Sequence, residues 1–178
     1  KKIPQKELRD KIGFVPQKAF LFSGTIEENI RYGKEDASIE EVKHAASIAQ
    51  ADEFISDMED KYDSFVAQGG NNLSGGQKQR ISIARALVRK PEVYVFDDSF
   101  SALDFKTDKR LRKALKNEIK DSSAIIIAQR ISTIMDANQI IVLNDGKIVG
   151  IGKHKDLLEN CEVYKQIADS QLSKEELA

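Results

Sequence analysis

Two short runs, "VYVFD" at 93–97 and "AIIIA" at 124–128, are almost continuously apolar, the pattern of strands covered on both faces of a parallel sheet. Between them "FKTDKRLRKALKNEIK" carries helical spacing, so strand, helix and strand predict a parallel crossover. Upstream, "KIGFVPQKAFLF" (11–22) reads as a short apolar strand broken at Pro16 and followed by a loop, and "SGTIEENIRYG" as a turn entering a brief helix. Ser38 and Glu41 have capping-box spacing, and Val42, Ala45, Ala46 and Ala49 recur on one face, which predicts a helical region reaching about residue 58. After Gly69 and Gly70, "LSGGQKQRISIARALVRK" places Ile81, Ala84, Leu87 and Val88 on one side of a helix that stops before Pro91. Residues 139–152 predict a hairpin turning at Asn144, Asp145 and Gly146, and two short amphipathic helices finish the chain. The opening "KKIPQKELRDK" reads as a charged, turn-like entry, and neither an internal repeat nor a low-complexity linker is present.

Composition narrows the class. With 178 residues, 40% hydrophobic and 32% charged, the chain can build one domain with its own core and is too polar for a membrane protein. No stretch approaches the roughly 18 apolar residues of a spanning helix, and the basic start is not followed by a signal-peptide apolar run. Lys and Arg number 28 against 29 for Asp and Glu, a balance that gives no electrostatic reason to expect a nucleic-acid partner. The single cysteine, Cys161, cannot form an internal disulfide, which suits a reducing compartment.

The chemistry concentrates in a few short motifs. A serine and two glycines at a helix start, Ser74, Gly75 and Gly76 in "LSGGQ", leave backbone N–H groups uncovered where the helix dipole favours an anion. Taken alone they also read as an ordinary serine cap with flexible glycines. Asp97 closes an apolar strand, so its carboxylate emerges at the carboxyl end of a parallel sheet, where such folds bind ligands. A plain capping aspartate is the other reading. His44 and His154 read as surface residues and Cys161 as a small, partly buried apolar one.

The order "LSGGQKQRISIARAL", an apolar strand ending in Asp-Asp, then "SALD", resembles the ATP-binding cassette (ABC) family, with its signature motif, Walker B strand and D-loop. Gln17 in "FVPQ" falls at the Q-loop, "LFSGTIEENIRYG" is similar to the segment that follows it in exporter-type cassettes, and "VAQGGNN" sits where exporters carry the X-loop. The resemblance covers essentially the whole chain. It implies an α/β cassette fragment of the P-loop NTPase type: a mostly parallel core sheet flanked by helices, plus an α-helical subdomain. It divides residues 1–178 into a helical subdomain with the signature helix (about 24–90), a core carrying Walker B, D-loop and switch (91–152) and C-terminal helices (153–178). ATP and Mg2+ are the implied cofactors. Nucleotide falls to Gln17, Ser74, Gly75, Gly76, Gln77, Asp97, Ser101 and Asp104, and the metal to Asp97 and Gln17. Asp104 also reads as the N-cap of the next helix.

Two positions depart from the family pattern. The acid after the Walker B aspartate, usually Glu, is Asp98, whose carboxylate is retracted by about 1.5 Å; a misplacement of about 1 Å can cost on the order of 100-fold in rate. Gln129 stands where the family has its switch histidine, and an amide cannot become cationic or relay a proton. Asp98 and Gln129, the implied catalytic pair, therefore suggest the degenerate half of a heterodimeric exporter. This chain would lend an intact signature to a second nucleotide-binding domain on a different chain. A homodimeric ABC ATPase hydrolysing slowly at two equal sites and a regulatory cassette that never turns over remain alternatives. The Q-loop and X-loop residues Gln17 and Gln68 are expected to meet transmembrane domains at the cytoplasmic face of the cell membrane. No G-x-x-x-x-G-K-[ST] occurs in the chain, so an upstream Walker A segment is expected to be missing, and the isolated chain to bind ATP poorly and to expose a sheet edge.

Overall fold

The computed structural model describes residues 3–172, and 173–178 of the C-terminal segment lie outside the described residues. The chain divides into two compact units between Ile127 and Ala128.

The first unit begins with α1 (Gln5–Asp10), β1 (Ile12–Val15) and β2 (Gly24–Thr25), followed by α2 (Ile26–Arg31), α3 (Ile39–Ile48) and α4 (Asp52–Ser56). Next come β3 (Phe65–Val66), α5 (Gly75–Leu87), β4 (Val93–Asp97), α6 (Phe105–Glu118) and β5 (Ser123–Ile127). The entry expected to be turn-like is the short helix α1, opened by Pro4, with Glu7 in its first turn and Arg9 in its last, signs that suit the helix dipole. Reciprocal capping boxes start α2 (Thr25 with Glu28), α3 (Ser38 with Glu41) and α5 (Ser74 with Gln77). Three helix starts are thus fixed by residues three apart in sequence.

β1, β4 and β5 form a parallel sheet in the order β1-β4-β5, with Val15 opposite Phe96 and Phe96 opposite Ile126. Val15, Tyr94 and Phe96 point to one face and join Ile81, Ile83, Leu111 and Leu115 in the core. On the other face Phe14, Ile125 and Ile127 are 56%, 54% and 50% exposed. β5 runs from 123 to 127, one residue ahead of the expected 124–128, and among the described residues it pairs with β4 alone and carries exposed apolar side chains. The continuous apolar run makes it fit for two-sided burial, and among the described residues the helices of this unit cover one face of the sheet.

The turn after α2 approaches α5 so closely that a Cβ on Gly33 would lie 2.0 Å from the Arg85 carbonyl oxygen. Gly33→Ala is expected to cost roughly 1–3 kcal/mol through forced separation of that turn from α5. A shift in the urea midpoint at unchanged m-value would register it, and an unshifted midpoint would show that the close approach is dispensable.

The second unit contains α7 (Ile131–Ile134), β6 (Ile140–Asn144), β7 (Lys147–Gly152), α8 (His154–Asn160) and α9 (Glu162–Gln171). β6 and β7 pair antiparallel, closing Asn144 on Lys147, and Asp145 (φ 48°) with Gly146 (φ 72°) supplies the two left-handed residues of a tight hairpin turn. Ile131, Ile140, Val142, Leu157, Cys161, Tyr164 and Ala168 form its core. Cys161 is buried and His154 lies 2.7 Å from the Tyr164 hydroxyl, so neither stands open at the surface.

Candidate functional site

Parallel register brings the ends of β1 and β4 side by side, so the residues leaving both strands meet. Asp97, the last residue of β4, is half-buried on the sheet face left open by the helices. Asp98 follows in a left-handed conformation (φ 45°), one that Asp adopts more readily than most side chains, and its N–H donates to the Ile127 carbonyl at 2.8 Å. Two residues beyond β1, the exposed Gln17 donates through Nε2 to Asp98 Oδ2 at 3.1 Å. The Gln17 amide and the Asp98 carboxylate, 81 residues apart, thus form one cluster, with Asp97 beside it in sequence.

The signature segment forms a second exposed feature. Ser74 caps α5 by accepting the Gln77 N–H at 3.2 Å, while Gln77 Oε1 accepts the Ser74 N–H at 2.9 Å. This exchange turns the serine and glutamine onto the helix end. Gly75 and Gly76 keep the approach to that end unobstructed: a Cβ on Gly75 would meet nothing within 4 Å, and one on Gly76 would come within 3.3 Å of the Ala102 carbonyl oxygen. The second distance joins the signature start to the loop at 101–104. There Ser101 Oγ donates to the Asp98 carbonyl at 2.8 Å, and Asp104 caps α6 by accepting the Thr107 N–H at 2.9 Å. Hydrogen bonding with Thr107 is also the main cause that holds the Asp104 carboxyl below the usual carboxylate range.

Gln68 is exposed in a short 3-10 turn, Gln68–Gly70, and the Gly69 N–H donates to the Leu21 carbonyl at 2.9 Å, which fastens this turn to the segment after Gln17. Gln129 belongs to the second unit, where it is exposed and its carbonyl accepts from Gln171 Nε2 at 2.9 Å. Gln171 Oε1 also accepts the Ile131 N–H at 2.9 Å, so one amide on α9 braces both sides of the loop.

Several supporting residues escape a motif-based reading. Arg80 donates to the Gln50 carbonyl at 2.7 Å and the Gly76 carbonyl at 3.3 Å, with its guanidinium 4.6 Å from the Phe54 ring centre. Burial lowers its pKa, opposed first by attraction to Asp104. Arg85 gathers Phe20, Asn29, Phe22 and Tyr32 around its guanidinium. Gln79 and Ser99 are buried polar residues. The available signal was the placement of polar side chains within the apolar stripe of α5 and beside the apolar strand β4.

The donor set suits a magnesium nucleotide. Mg2+ prefers oxygen ligands, needs only one or two carboxylates and keeps waters or phosphate oxygens for the rest. Asp97 offers one such carboxylate at the end of β4, and among the described residues no cluster of three or more His, Cys, Asp or Glu suits a metal held by protein alone. The uncovered N-terminus of α5 offers N–H donors to an anion.

A parallel α/β sheet carrying acids at its carboxyl end, together with an open, serine-capped signature helix, defines the class of nucleotide-binding cassettes. The family model for the ABC transporter matches residues 1–101. The chain belongs to the ABC transporter family, as part of its nucleotide-binding domain. It is 49% identical over 173 residues to the uncharacterised ABC transporter ATP-binding protein YfiB of Bacillus subtilis (strain 168), a match covering 97% of this chain and 30% of that protein. It is 47% identical over 163 residues to the uncharacterised ABC transporter ATP-binding protein Mb1304c of Mycobacterium bovis, covering 90% of this chain and 28% of the relative. Among solved structures, a bacterial Atm1-family ABC exporter with ATP bound superposes with a TM-score of 0.93 at 39% identity, over 97% of this chain and 30% of that one. The chain therefore spans about a third of the length of these relatives. Among the described residues no helix is long and apolar enough to cross a membrane.

Proposed function

We propose that this chain is the ATP-binding part of an ABC exporter, acting at the cytoplasmic face of a membrane and paired with a second, different nucleotide-binding domain. The supporting observation is an asymmetry: the signature start at Ser74, Gly75 and Gly76 is intact and open, whereas Asp98 and Gln129 replace the residues the family uses for hydrolysis. In this reading the N–H groups at the start of α5, with Ser74, bind the terminal phosphate held by the partner. Asp97 and Gln17 hold the metal of this chain's own site, and Mg2+ supplies charge neutralisation at the phosphates. Asp98 orients water from too far back, and Gln129 donates a hydrogen bond without exchanging a proton. Ser101 and Asp104 line the seam between the cassettes, and the surface near Gln17 and Gln68 receives transmembrane domains. Residues about 24–90, 91–152 and 153–178 serve as helical subdomain with signature helix, catalytic core and C-terminal helices.

Asp98→Glu with Gln129→His in the full transporter is expected to raise hydrolysis at this site about tenfold. A side chain longer than Asp at a left-handed position should cost about 1 kcal/mol of stability alongside. Single-turnover hydrolysis with the partner's site inactivated measures the gain, and an unchanged rate refutes the degenerate-site reading. Purifying the tagged parent and identifying co-purifying subunits by mass spectrometry tests the pairing. A stoichiometric partner with Glu and His at these two positions is expected, while a parent that purifies alone and hydrolyses ATP supports a homodimer instead.

A further inference from the structure

Two successive carbonyls at the exit of β1 are each gripped by a buried side chain from a different element. Ser99, fully buried in the loop after β4, donates from Oγ to the Val15 carbonyl at 2.9 Å and also lies 3.3 Å from the Asp97 carbonyl. Gln79, 2% exposed on α5, donates from Nε2 to the Pro16 carbonyl at 3.0 Å. The next residue, Gln17, places its amide on Asp98. Pro16 has a fixed φ and no N–H, so the direction in which Gln17 leaves the strand depends on how these two carbonyls are held. A glutamine inside a packed apolar helix face costs free energy unless it is bonded, and here its donor has a backbone acceptor 63 residues away.

We propose that Gln79 and Ser99 are positioning residues that hold Gln17 against Asp98, and that Gln79, five residues along α5 from Ser74, couples the signature start to the Q-loop. The role assigned to Gln17 rests on the ATP-binding reading above. The clamp itself rests on geometry alone. Because Ser74 and Gly75 face the partner's nucleotide in that reading while Gln17 faces this chain's own, the side chain of Gln79 joins two sites through a single helix.

The test uses the full-length protein carrying this cassette, purified in detergent, with Gln79→Met, Ser99→Ala, Gln17→Ala and their pairwise combinations. The first readout is hydrogen exchange of the backbone amides at 17–22 without nucleotide. The second is equilibrium binding of trinitrophenyl-ATP with Mg2+. Loss of either clamp should raise exchange at 17–22 about tenfold relative to α2 and weaken nucleotide binding about fivefold. In the Gln17→Ala background the same clamp variants should still raise exchange yet weaken binding by less than about 1.5-fold further, because their effect on nucleotide passes through Gln17. Losses that multiply in that background, or unchanged exchange at 17–22, overturn the proposal. Ser99→Ala gives an independent decision if Gln79→Met does not fold. If the parent itself does not bind the probe, the ATP-binding reading falls, and the exchange measurement still decides the clamp.

Discussion

Gly75→Asp is expected to leave the cassette at least as stable as the parent while lowering ATP turnover of the full transporter by about a hundredfold. The stability half follows from local geometry. A Cβ at Gly75 meets nothing within 4 Å, and a carboxylate in the first turn of α5 interacts favourably with the helix dipole. The functional half follows from the same feature read from outside. In the proposed role the partner's terminal phosphate occupies the space in front of Gly75. A fixed negative charge there would oppose the phosphate and block the N–H donors, and losing such stabilisation typically costs about 100-fold or more in rate. Thermal unfolding and steady-state hydrolysis, measured on one preparation, separate the two. Lost turnover with a midpoint equal to or above the parent's is the expected result. Turnover within about twofold of the parent would remove Gly75 from the nucleotide path.

Arg85→Leu should have the opposite profile, a loss of about 3–5 kcal/mol of stability that precedes any effect on nucleotide. Its guanidinium donates to the Asn29 carbonyl at 2.7 Å, the Phe20 carbonyl at 2.9 Å and Asn29 Oδ1 at 2.9 Å, and lies 5.4 and 5.7 Å from the ring centres of Phe22 and Tyr32. Burial pulls its pKa below the ordinary arginine value, the electrostatic sign of a cation taken out of water and held mainly by neutral groups. Leucine would leave three acceptors with fewer donors and free the exposed rings of Phe22 and Tyr32 from the cation. Against a typical domain stability of about 5–15 kcal/mol, a loss of that size leaves the folded state marginal at 37 °C. Arg85→Lys should recover only a minor part, because a point ammonium cannot serve three acceptors in the fork geometry of a guanidinium. Urea unfolding of the three proteins gives the comparison, and a loss below about 1 kcal/mol for Leu would show that the aromatic segment holds without the cation.

Local chemistry was legible in the sequence because it acts over three or four residues. Ser38 with Glu41 starts α3, Ile81, Ala84 and Leu87 line the buried side of α5 with Val88 buried at its C-cap, and Asn144 to Gly146 turn the second unit's hairpin, as their spacing requires. The order of signature, apolar strand and D-loop likewise needs only the linear chain, and it suffices to assign the family. Tertiary structure decided everything that depends on which distant residues become neighbours. Gln17 meets Asp98, Gln79 meets Pro16 and Arg85 meets Phe20 across 63 to 81 positions, contacts that no periodicity encodes because they arise only when strands align in register and helices choose a face. β5, whose second face is open among the described residues, is the clearest case. Its apolar run specifies a strand suited to burial on both sides, but whether each side is covered is a property of the elements packed around it.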